Sequence, residues 1–492
     1  MNDSVDAQTI TDDELHAARH MRLKLLQDPY RPAYHFVSPE GLARPFDPNG
    51  SIFWRGRHHM GYIYQERGVH LWGHVSSIDL LHWRHHAPML VPTDDSPETG
   101  IFSGNAYLDH DGSRVLCMYH GVGAGNCIAW SDDADLETWH KHEGNPIVPN
   151  PEDPETANHT SWDPCGWIDN GTYYAIFGGK KNTVWKSTDM HEWEMCGPFL
   201  AAPYPGIDPE EDISCPDFFK VGDKWVMVCI SHRLGARYYV GEWKNEQLHP
   251  EYHEMMSYCD NEFFAPESYT DDRGRRLLFS WVFDGRDDAI KNPSGWSGMM
   301  SLPRVMTLAP GNRMLMTPAQ ELESLRYNGV SFADLAIPAD GASPIAFDAV
   351  TPNVFELEVE IDGGAATEFG VTVCGSADGK QQTVIGYDRS AGTLKIDTEH
   401  AGDWKRLDES ILKTPIATTE SSPMKLDNTE PLKLRVFIDR CMIEVFANDG
   451  RLALSRVVYP PAGATAIALY SVGAAISAKH VRVWDIMPTN PY

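Results

Sequence analysis

The chain has 492 residues, with 70 acidic side chains against 41 basic ones and a formal net charge of −29. Its length points to two or three domains, and its acidity disfavours nucleic acid or an anionic membrane surface as a partner. Nine cysteines lie between Cys117 and Cys441 without a CxxC pair, which argues against a disulfide framework and against a zinc cluster.

The first twenty residues, MNDSVDAQTITDDELHAARH, are polar and acidic and lack the basic and apolar regions of a secretory signal. No apolar run approaches the roughly 18 residues of a membrane span. These features predict a cytoplasmic protein. Thr11 to Gln27 reads as a helix, with a Thr/Asp cap and Leu15, Met21, Leu25 and Leu26 at near-helical spacing. It makes residues 1–30 an N-terminal helical extension.

Strand signals dominate from there on. Gly61–Gln65, Thr172–Phe177, Lys224–Ile230 and Arg276–Val282 are aromatic or β-branched runs bounded by Gly, Asp, Asn and Pro. A weak repeat closes a polar turn with tryptophan at Trp83, Trp139 and Trp193. Its spacing of about 55 residues fits the four-stranded blades of a β-propeller, whose inner strands line a central funnel. Five such blades fill residues 31–330. Residues 331–492 carry alternating strands at Val354–Ile361, Gly370–Val373, Leu434–Ile438 and Met442–Phe446, expected to form a β-sandwich. Ala336–Ser343 is the expected linker edge. The fold class is therefore all-β: a five-bladed propeller followed by a sandwich.

The chemistry-bearing motifs lie in the first of these domains. Phe46-Asp47-Pro48-Asn49-Gly50 stands at the entrance of a strand that leads on to Tyr64-Gln65. Phe102-Ser103-Gly104, Trp162-Asp163-Pro164, Ser214-Cys215-Pro216-Asp217, Phe264-Ala265-Pro266, Trp281 and Ser301-Leu302-Pro303-Arg304 follow in order. Taken together and in this order they resemble glycoside hydrolase family 32, the invertases, levanases and inulinases, over nearly the whole chain. The resemblance extends to Phe437-Ile438-Asp439-Arg440 and Ile443-Glu444-Val445-Phe446 in the sandwich.

The resemblance implies a retaining β-fructofuranosidase that needs no metal or cofactor. Such enzymes use two carboxyl groups about 5–5.5 Å apart, one as nucleophile and one as general acid. It assigns the nucleophile to Asp47 and transition-state stabilisation to Asp163. Gln65, Phe102, Ser103, Trp162, Ser214, Phe264 and Trp281 become the expected substrate-binding set. Three positions depart from the family pattern. Phe46 replaces the Asn before the nucleophile, Trp162 replaces an Arg that clamps hydroxyls, and Ser214 replaces the acidic Glu. Glu267 leads the candidates for a substitute acid, followed by Glu210 or Glu211 and then Glu262. His120 and His232 are further proton donors to consider. A sugar-binding protein without turnover and a fructosyl transferase are the competing readings. The sandwich could also mediate a homo-oligomer, although no sequence feature fixes one.

Overall fold

In a computed structural model, residues 11–259, 262–402, 417–427 and 429–490 are described, apart from the side chain of Glu14. The aromatic and β-branched runs form strands that pair antiparallel with their sequence neighbours. They build five successive sheets spanning Pro48–His85, Ile101–Pro149, Pro164–Pro198, Ser214–Met255 and Phe263–Pro318. The first strand of each sheet packs against the first strand of the next, and the fifth packs against the first. This closed ring is the propeller.

The tryptophan repeat has a physical basis. Leu80, Leu136 and Met190 each adopt positive φ, at 67°, 54° and 67°. Beside each of them an Asp carboxylate (Asp79, Asp133, Asp189) accepts backbone N–H groups of the turn. The Ser-x-Asp turn thus satisfies its own backbone where the third strand of a blade ends.

Among the described residues two six-stranded sheets follow, with Arg326–Ile337 already part of the first. The expected linker at Ala336–Ser343 is instead occupied by the end of that strand and the start of Gly341–Pro344, which passes the chain to the second sheet. The helix forms at Asp12–Gln27. Its expected apolar face is only partly used: Leu25 is buried and Met21 packs on it, whereas Leu15 and Leu26 are exposed.

Propeller and sandwich share a buried ionic cluster. His35 Nδ1 bonds Asp439 at 2.9 Å, and its Nε2 lies 3.3 Å from Glu444. Glu444 also binds Arg304 at 2.7 Å and accepts the Leu302 N–H at 2.6 Å. Burial would lower the His35 pKa, but the two carboxylates outweigh it and hold it near 9. The imidazolium and the guanidinium therefore balance the two carboxylates.

Candidate active site

Four of the five inner strands carry a register irregularity near their start, at Asn49/Ile52, Ile101/Gly104, Ser214/Asp217 and Phe264/Glu267. Such bulges re-aim side chains. Asp163 and Cys215 reach the same end through left-handed backbone, with φ of 34° and 45°, a conformation that costs non-glycine residues on the order of 1–3 kcal/mol. Gly104 sits where an added Cβ would lie 1.9 Å from the Met118 carbonyl oxygen, so the second strand can approach this closely only as glycine. Asn49 ties the first two strands together: it donates to the Asp47 carbonyl at 2.8 Å and accepts the Gly104 N–H at 2.8 Å.

These devices bring Asp47, Ser103, Asp163, Ser214 and Cys215 to one cavity of about 360 Å³. Its walls are aromatic: Phe102, Trp162, Phe264 and Trp281 line it. Trp162 packs against Phe102 and His120, with ring centroids 5.8 and 4.5 Å away, and stays 36% exposed at the rim. An aromatic face at the place of a charged fork offers a surface for sugar C–H groups rather than for hydroxyls.

Asp47 Oδ2 accepts a hydrogen bond from Ser103 Oγ at 3.0 Å, and the Cys215 thiol lies 3.7 Å from it. Oδ1 is buried and has no hydrogen-bond partner among the described residues. Burial, reinforced by the charge of Asp163, pushes the Asp47 pKa up to about 7. Asp163 Oδ2 accepts the Cys215 N–H at 3.0 Å, and burial raises its pKa to about 6. The Cys215 thiol stands 3.7 Å from Asp47, Ser103 and Asp163 alike, a bridging role that the sequence motif alone did not reveal. Phe46 is buried beneath the site against Phe36 and Tyr62, so it fills a core position.

Two expected site residues lie elsewhere. Gln65 is exposed near the tip of the first sheet's central hairpin and contacts His70 at 2.6 Å, outside the cavity. Glu267 also lies off the cavity lining. The bulge after Phe264 turns its carboxyl into the seam with the first sheet, where Ser51 Oγ donates to it at 2.7 Å and Ser51 N at 3.2 Å. Burial raises its pKa to about 8. Two of the remaining acid candidates, Glu262 and Glu211, are engaged elsewhere. Glu262 pairs with Arg456 at 3.2 Å. Glu211 accepts from Ser231 and Arg233. Glu210 is exposed. His120 is buried behind Trp162 and bonded to Asn126 at 3.1 Å. Five residues outside the expected catalytic and binding set also line the cavity: Arg44, Pro45, Cys215, Ile230 and His232, the last of them one of the candidate proton donors.

The placement of Glu267 gives a measurable expectation. Its folded pKa exceeds the ordinary value of 4.5, so the fold binds its proton more tightly than the unfolded chain does and loses stability as pH rises from about 4.5 towards 8. Glu267→Gln removes that titration. Thermal melts should show the variant gaining on the wild type between pH 5 and 8 (a range set by the two pKa values). Its activity should fall by less than the roughly 10²–10⁴-fold that loss of a general acid costs.

A propeller whose funnel holds two buried carboxyls under aromatic walls, joined to a sandwich, is the architecture of a glycosidase. Residues 35–318 match the N-terminal domain of glycosyl hydrolases family 32 and residues 321–485 match its C-terminal domain, so the chain belongs to that family. Levanase of Bacillus subtilis is 26% identical over 93% of this chain and 72% of its own length. Sucrose-6-phosphate hydrolase of the same organism is 26% identical over 94% and 95%, and the raffinose invertase of Escherichia coli is 28% identical over 89% and 92%. Fructan 1-exohydrolase IIa from Cichorium intybus shares the fold with a TM-score of 0.82 at 22% identity, covering 94% of this chain and 98% of that one.

Proposed function

We propose that the chain is a retaining β-fructofuranosidase in which Asp47 is the nucleophile and Asp163 binds the hydroxyls of the fructosyl ring. The observation that carries this reading is the burial of both carboxyls on one cavity, with Asp47 Oδ1 lacking any hydrogen-bond partner among the described residues. That oxygen is the one to attack the anomeric carbon. Ser103 and Cys215 hold Oδ2 and so fix the carboxyl plane. Asp163 strengthens its bonds to sugar hydroxyls as positive charge develops on the ring. Phe102, Trp162, Phe264 and Trp281 supply apolar contact, and Ser214 takes a binding rather than an acid role. The relatives' names point to sucrose, its phosphate and levan as the first substrates to try. The nine cysteines, all free thiols, suit the cytoplasmic setting expected from sequence.

The test is a panel of sucrose, sucrose 6-phosphate, inulin and levan at pH 8, where Asp47 is ionised. Release of fructose with retained β configuration, followed by NMR before mutarotation, supports the mechanism. Inversion would remove Asp47 as nucleophile, and transfer products at high substrate would mark a transferase.

A further inference from the structure

The family position of the general acid is Ser214, and a serine hydroxyl does not protonate a leaving group at neutral pH. What surrounds Ser214 is a directed chain of polar groups. Ser214 Oγ donates to Asp212 Oδ2 at 3.0 Å. The same carboxylate oxygen lies 2.8 Å from His232 Nδ1, and the His232 N–H reaches Asp212 at 3.3 Å. His232 lines the cavity together with Asp47 and Asp163. Its ring meets the edge of Phe264, with centroids 5.8 Å apart.

The register explains the meeting. Ser214 pairs with Ile230 across the antiparallel hairpin. Continuing that register by two residues sets Asp212 opposite His232. We propose that His232, oriented by Asp212, is the general acid of this chain, delivering the proton that the missing carboxyl would have supplied at Ser214. The inference rests on the reading of Asp47 as nucleophile.

The geometry favours this pair over each of the candidate carboxyls. Glu267 faces Ser51, Glu262 faces Arg456, Glu211 faces Ser231 and Arg233, and Glu210 is exposed. His232 shares the reaction cavity with both Asp47 and Asp163, and its charge acts on both carboxyls. Burial alone would raise the Asp212 pKa, yet the bond to His232 helps to hold it near 2, so it faces the ring as a carboxylate. With Nδ1 bound to Asp212, the transferable proton is the one on Nε2.

The step balances simply. As the bond between the anomeric carbon and the leaving oxygen breaks, the electron pair goes to that oxygen and the Nε2 proton joins it. Asp47 Oδ1 bonds to the anomeric carbon, and His232 is left as neutral imidazole. In the second half, the water oxygen bonds to the anomeric carbon as His232 Nε2 takes its proton, and the carbon–Asp47 bond breaks with its electron pair returning to the Asp47 carboxylate. Asp212 and Ser214 are positioning residues in this scheme.

The test compares two leaving groups. An oxygen-linked fructoside, the best of the panel above, needs protonation, whereas β-fructofuranosyl fluoride releases its leaving group without it. His232→Gln should lose about 10²–10⁴-fold in kcat on the oxygen fructoside and less than about tenfold on the fluoride. Asp212→Asn should shift the alkaline limb of the kcat/KM profile to lower pH, because the carboxylate no longer stabilises the imidazolium. A merely structural role would lower the amplitude without moving the limb. Equal losses on both substrates in a folded His232→Gln, or unchanged turnover of the oxygen fructoside, overturns the assignment. Loss of both substrates in Asp47→Asn with only the oxygen fructoside lost in His232→Gln supports both readings. Retained activity in Asp47→Asn removes the nucleophile reading instead.

Discussion

Asp47→Asn is expected to abolish turnover of oxygen fructoside and fluoride alike, by a factor on the order of 10⁴ or more, as loss of the nucleophile does in a covalent mechanism. It should do so while making the protein more stable at alkaline pH. Asp47 is buried beside Asp163, and its folded pKa of about 7 stands far above the ordinary 3.8. The fold therefore prefers the neutral group, and every ionised Asp47 above neutrality is held at a cost in stability. Asn keeps the shape, can still accept from Ser103, and carries no charge. Thermal melts at pH 8 should show the inactive variant melting above the wild type, with the gap closing as pH falls towards 4. An Asn variant that melts lower at pH 8 would contradict the electrostatic account of the site, and one that retains activity would remove Asp47 as nucleophile.

The second large effect lies far from the chemistry. Glu444→Ala should destabilise the protein by about 3–5 kcal/mol, the range found when one partner of a buried ion pair is removed. The carboxylate is fully buried, and its loss strands the Arg304 guanidinium and one face of the His35 imidazolium. The Leu302 N–H would also lose its acceptor. A double variant, Glu444→Leu with Arg304→Met, should recover part of the loss, since apolar replacement of a whole buried pair is often neutral. Differential scanning calorimetry of the three proteins decides this. A single variant as stable as the wild type would mean that the cluster is hydrated.

Much of the architecture was legible because its signals are local. The Ser-x-Asp turns ahead of Trp83, Trp139 and Trp193 satisfy their own backbone, so the blade period survives in the sequence. The order of the short motifs from Asp47 to Arg304 identified the family although each motif alone is ordinary turn chemistry. Side-chain direction was harder to read. Glu267 was expected in the funnel because its strand is an inner one, but the bulge after Phe264 sends it to Ser51 instead. Gln65 follows from the resemblance alone, and the short hairpin leaves it exposed beside His70, outside the cavity. The tie between Asp212 and His232 spans a hairpin whose register has to be known before the two residues can be matched. Cys215 stands in its motif without a signal of its own, and its place between two carboxyls depends on a left-handed backbone that no residue type announces.

The segment leading into Asp47 is anchored by residues that the ribosome makes late. Ala33, Tyr34 and His35 donate their N–H groups to Asp439, and Asn490 donates to the carbonyls of Pro32 and His35. Arg286 and Trp296 grip Asp28 just upstream. During vectorial synthesis the nucleophile emerges early, while the parts that fix its approach are still untranslated. A polypeptide released before Asp439 is made would carry the sequence of all five blades and both carboxyls, yet lack the acceptor that holds Ala33, Tyr34 and His35 upstream of the nucleophile.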